Sequence, residues 1–89
     1  MQIHFSFPEG LVMAMHLDVI PRHGEIADFT QINNPAFFES DEEYQKFTKF
    51  LKLKIWKVYS VSYRLVSDEE SNAIVELIEK EDSQTYAVM

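Results

Sequence analysis

The sequence predicts an α+β, mainly β fold. Five antiparallel strands form a curled sheet or small barrel in the order β-β-β-α-β-β, with one helix at about residues 41–53. Three stretches carry that expectation. Ile55 to Val66 holds the single Trp and two of the four Tyr, with no Gly, Pro or acid, which suits a long half-buried strand. Gln2–Phe7 and Leu11–Ile20 alternate apolar and polar residues on either side of a three-residue gap. Ser40 opens a helical signature that runs to Leu53.

In chain order, Ile3, Phe5 and Phe7 share one face of the first strand, and Leu11, Met13, Met15, Leu17 and Val19 share one face of the second. The apolar faces match if Phe7 pairs with Leu11, leaving Pro8-Glu9-Gly10 as a loop in which Gly supplies the left-handed residue. Pro21-Arg22-His23-Gly24 turns the chain, Glu25–Ile32 follows as a short third strand, and Asn33-Asn34-Pro35 ends it. Ser40 and Glu43 have capping-box spacing, acids crowd the first turn and lysines the last. Tyr44, Phe47 and Leu51 form the helix's core stripe with Phe50 at its edge, and Phe37 or Phe38 packs back on it. Glu42 and Lys46 make an i, i+4 pair.

Within Ile55–Val66, Trp56 and Val58 have one parity, whereas Tyr59, Val61, Tyr63 and Leu65 have the other. Two readings stay open: a β-bulge near Val58–Tyr59, which puts both sets on one face, or a central strand covered on both sides. Ser67–Asn72 is a loop, and Ala73–Glu79 pairs back as a closing strand whose Ile74, Val75, Leu77 and Ile78 leave both faces partly apolar. Residues 1–80 read as one domain and 81–89 as a frayed tail.

The chain has no Cys, which excludes disulfides, thiolate catalysis and Cys-ligated zinc. With no long apolar run and no basic-then-apolar leader, the expected location is cytoplasmic. Net charge is −7, but unevenly placed. Tyr44–Val66 carries Lys46, Lys49, Lys52, Lys54, Lys57 and Arg64 without one acid, and Asp68–Asp82 carries seven acids against Lys80.

No nucleophile-and-base set, G-x-S-x-G elbow, Walker loop or dinucleotide fingerprint is present, so no enzyme and no cofactor are expected. His4, His16 and Asp18 share the polar side of the first hairpin, with the two histidines diagonal neighbours. Alternation alone places them there, so no metal is assigned. Lys46, Lys49, Lys52, Lys57 and Arg64 are the candidate partner-binding residues, and Arg22 and His23 a candidate turn contact.

Val19-Ile20-Pro21-Arg22-His23-Gly24-Glu25 and Trp56-Lys57-Val58-Tyr59-Ser60-Val61 resemble the I-P-R-x-G-E turn and W-x-V-x-x-V strand of a group of small uncharacterised bacterial and phage-borne β-proteins. The two motifs together span 13 of the 89 residues. Some thirty residues, including the helix, separate the two motifs where that pattern has a short loop. The resemblance implies a compact antiparallel barrel or sheet and no activity.

The reading these features support is a small acidic, non-enzymatic interaction module that binds a protein partner or itself. Its concrete version is a homodimer through an exposed edge strand, or through the lysine-bearing face meeting the acidic C-terminal segment. The alternative is an OB-like single-stranded nucleic-acid binder, with Trp56, Tyr59 and Tyr63 as a stacking platform beside the basic residues. The net charge and the needs of a small core weigh against it. A third reading is an acidic decoy that occupies a nucleic-acid-binding protein.

Overall fold

The computed structural model describes residues 1–65 and 71–80. The expected tail at 81–89 and most of the Ser67–Asn72 loop lie outside them. The chain forms a five-stranded, curled, half-barrel sheet with one short helix. Its elements are β1 (Gln2–Ser6), β2 (Val12–His16), β3 (Ile26–Ala27), α1 (Asp41–Lys46), β4 (Trp56–Leu65) and β5 (Ser71–Glu79).

The first hairpin has the register its alternation demands. Phe7 N–H donates to Leu11 O at 2.8 Å, Phe5 lies opposite Met13 and His4 opposite Ala14. The loop differs in one respect: Glu9 (φ 70°) as well as Gly10 (φ 86°) adopts the left-handed conformation. That conformation costs a non-glycine residue about 1–2 kcal/mol, while glycine adds unfolded-state entropy worth about 0.4–1 kcal/mol. Glu9→Gly is therefore expected to stabilise the fold by roughly 0.5–1 kcal/mol. A thermal melt would show this as a midpoint raised by a few degrees, and a lowered midpoint would contradict it.

The sheet order is β2-β1-β5-β4-β3, and this corrects the all-antiparallel expectation. β1 pairs with β2 and β4 with β5 antiparallel, but β1 and β5 run parallel side by side, so the sheet is mixed. β5 takes the centre with a neighbour on each flank: Ala73, Val75 and Leu77 are buried in the core, while on the other side Ile74 is half-buried and Ile78 stays exposed. β1 supplies Ile3 and Phe5, both essentially buried, and takes the adjacent inner place.

Element boundaries also differ from the sequence expectation, and β5 starts at Ser71, two residues before Ala73. β2 ends at His16, where Leu17 N–H turns back to Met1 O. The third strand is only Ile26–Ala27, because Asp28 Oδ1 accepts from both the N–H (2.9 Å) and the hydroxyl (2.7 Å) of Thr30. Those bonds hold the Asp28 carboxyl below the usual carboxylate range, backbone first, and make a local turn in place of ladder pairing. The turn delivers Phe29 to the core.

The helix begins as expected, with Ser40 Oγ accepting from Glu43 N–H at 3.2 Å. After Lys46 it widens into a single π turn, Phe47–Leu51, closed by Lys52 N–H to Phe47 O. It therefore stops two residues short of Leu53. Trp56, the first residue of β4, donates its indole N–H at 2.9 Å to Leu51 O, a carbonyl at the helix end that also accepts from Lys54 N–H at 3.1 Å.

The core lies on one face of the sheet and is closed by Phe29, Phe38 and Phe47, the last from the π turn that follows α1. Phe7 is its hub, with ring centroids 5.2 Å from Phe29, 5.8 Å from Phe47 and 5.1 Å from Trp56. Phe38 packs back on Phe47 at 5.0 Å, as the spacing implies. Phe50 stays 59% exposed at the helix edge.

Candidate interaction surface

β4 is the strand that, among the described residues, is left with one flank partly unpaired. Of its two flanks, one is covered along its whole length by β5. The other meets β3 only at Trp56 and Lys57, extended by one step where Val58 N–H donates to Glu25 O and Gly24 N–H to Val58 O, both at 2.9 Å. From Ser60 to Leu65 this flank has no hydrogen-bonded neighbour among the described residues.

A β-bulge fixes what that flank displays. Val58 lies opposite Leu77 and Ser60 opposite Glu76, so Tyr59 is the extra residue, and of the two sequence readings the bulge is the one the protein adopts. Beyond it, Val61 and Tyr63 take the same face as Trp56 and Val58, opposite buried Val75 and Ala73. The direction of the backbone groups follows from β5. Lys80 N–H donates to Ile55 O at 2.8 Å, so the even residues of β5 address β4. Their partners Ser60, Ser62 and Arg64 therefore turn their N–H and C=O groups to β5, and Val61 and Tyr63 turn theirs to the open flank.

The aromatic residues of this strand divide. Trp56 is 1% exposed and belongs to the core, not to a stacking platform. Tyr59 and Tyr63 are 55% and 60% exposed, one at the bulge and one on the core-side face beyond the packed interior. β2 and β3 lie at opposite edges of the sheet, whereas OB-type recognition uses a face made by the second and third strands.

The basic residues do not gather into one patch. Lys46 ends α1, Lys49 lies in the π turn and Lys52 just past it, on a segment that packs on the core side through Phe47. Lys46 sits 3.8 Å from Glu42 with both side chains exposed, Lys49 lies over the Phe50 ring, and Lys52 Nζ donates to Asn33 Oδ1 at 2.6 Å. Lys57 and Arg64 stand on the opposite, convex face. Lys57 lies between Ile26 and Ile78, and Arg64 beside a shallow hollow of about 220 Å³ lined by His4, Ser6, Val12, Asn72 and Ile74. Part of the charge segregation is also used within the chain, since Lys54 Nζ is 3.2 Å from Glu79 Oε1.

Arg22 and His23 are exposed on the turn that leads into β3. Arg22 N–H is held by Glu25 Oε1, and Gly24 (φ 89°) ties the turn to Val58. These two residues thus stand where β3 stops covering β4, beside the start of the open flank. His4 and His16 keep the diagonal relation expected of them, opposite Ala14 and Gln2. Among the described residues no three His, Asp or Glu side chains converge as a metal site, and no helix is long and apolar enough to cross a membrane.

What the sequence alone missed was the open flank. Its one signal was length: a twelve-residue strand-forming stretch, Ile55–Val66, against a third stretch of only eight, Glu25–Ile32. Comparison with family models, with curated proteins and with solved structures finds no match for this chain.

Proposed function

We propose that this protein is a non-enzymatic binding module that recruits a protein partner, or a second copy of itself, by accepting a strand along β4 from Ser60 to Leu65. The observation that carries this reading is a ten-residue strand whose second flank is covered, among the described residues, only as far as Val58. Strand addition draws affinity from main-chain hydrogen bonds and specificity from alternate side chains. Here Val61 and Tyr63 offer both: outward-turned N–H and C=O groups, and an apolar ring on the face an added strand would continue. The contact would be small and reversible, at the low end of interface sizes.

Amide hydrogen exchange in dilute protein tests the premise. The N–H groups of Val61 and Tyr63 are expected to exchange fast, while those of Ser60, Ser62 and Arg64 are protected. Protection at all five positions would mean that the flank is already covered, and the reading would fall.

A further inference from the structure

Resting on β4 as a strand acceptor, we propose that the strand it accepts is β4 of a second copy, antiparallel about a two-fold axis at Ser62. Position and charge favour this occupant. β3 and the Gly24 turn block β4 up to Val58, so an incoming strand must lie beyond the bulge. An axis at Ser62 pairs Ser60–Arg64 of one copy with Ser60–Arg64 of the other, all of them beyond Val58, where Gly24 and Glu25 bond β4.

That axis brings complementary residues together. Val61 meets the second copy's Tyr63, and by the alternation derived above the two exchange both N–H···O bonds. A β-branched residue opposite an aromatic ring is a favourable cross-strand pair. On the other face Ser60 meets the second copy's Arg64, so no like charges are opposed. The protein's net charge is −7, yet Tyr44 to Val66 contains no acid. Two copies therefore approach through β4 with less repulsion than through the acidic remainder of the surface. The product is one continuous ten-stranded sheet, an isologous contact that closes on itself and leaves no further β4 edge.

The test is light scattering or sedimentation on the full chain, from on the order of 10 µM to 1 mM. The mass is expected to rise toward the dimer with concentration, and to rise further with added salt, because screening relieves repulsion between copies of net charge −7. A dimer joining the helix lysines to the acidic C-terminal segment would show the reverse salt response and would overturn the proposal.

Three variants locate the contact. Tyr63→Pro removes an outward-turned N–H from each copy and is expected to weaken dimerisation about tenfold or more while circular dichroism stays native. Tyr63→Val keeps the N–H and should retain association. Ser60→Lys faces Glu76 within its own sheet, so the fold is kept, but it meets the second copy's Arg64 and should weaken the dimer. A dimer indifferent to Tyr63→Pro would place the interface elsewhere. A monomer at every concentration, with Val61 and Tyr63 amides still exchanging fast, would overturn self-association while leaving the acceptor strand intact. The same monomer with those amides protected would remove both.

Discussion

Phe7→Ala is expected to leave the protein largely unfolded at physiological temperature. Phe7 is 2% exposed and touches Phe29, Phe47 and Trp56, so it links the first hairpin, the Asp28 turn, the helix and β4 through one ring. Truncating a buried Phe costs about 3–5 kcal/mol, the lost transfer energy plus the cavity left behind. The neighbours are themselves large rings held by a helix and a sheet, so the cavity cannot readily collapse. A small domain has a total stability near the low end of roughly 5–15 kcal/mol. Urea unfolding followed by circular dichroism should show the midpoint approaching zero denaturant. Phe50→Ala, at a ring that is 59% exposed, should shift stability by less than about 0.5 kcal/mol. A Phe7→Ala loss under about 1 kcal/mol would mean that the aromatic cluster is not the hub of the core.

The second large effect separates two neighbouring residues. Ser62→Pro is expected to destabilise the sheet by about 3 kcal/mol or more, while Tyr63→Pro costs much less. Ser62 lies opposite Ile74, and its N–H belongs to the β4–β5 ladder. Proline there deletes the donor, leaves the β5 acceptor without a partner and forces the strand's φ. One residue on, the N–H points off the sheet, where proline is tolerated at edges. The contrast depends on the bulge at Tyr59. Without that extra residue the even and odd positions beyond it would exchange roles, and Tyr63→Pro would be the damaging change. Thermal melts of the two variants decide between these phases.

How far the sequence speaks depends on whether a feature is local. The first hairpin was legible to the residue, because strict alternation on both sides of Pro8-Glu9-Gly10 leaves one register that buries Phe5, Phe7 and Met13 together. The helix start was legible for the same reason, since Ser40 and its cap are four residues of local chemistry. The parallel neighbourhood of β1 and β5 was not, because those strands are some seventy residues apart and no turn dictates their pairing. Its trace was present all the same in the two-sided apolar pattern of Ile74, Val75, Leu77 and Ile78, the pattern of a central strand. The third strand was overestimated because a side chain, Asp28, competes successfully for the backbone. The basic residues were adjacent in sequence but fall on two sides of a sheet, a division that alternation at Lys57 and Arg64 already contained.

The indole of Trp56 joins the last turn of the helix to the first residue of β4 and lies against Phe7. As the chain's single tryptophan, it makes the folding reaction visible by its own light. Its emission should shift to the red on unfolding, because the dry environment and the bond to Leu51 O are lost in the same event. The proposed strand addition would begin at Ser60, across the bulge from Trp56, so the same fluorophore should scarcely register it. Folding can therefore be followed at any degree of association, and association at any denaturant concentration below the transition, without a label on either.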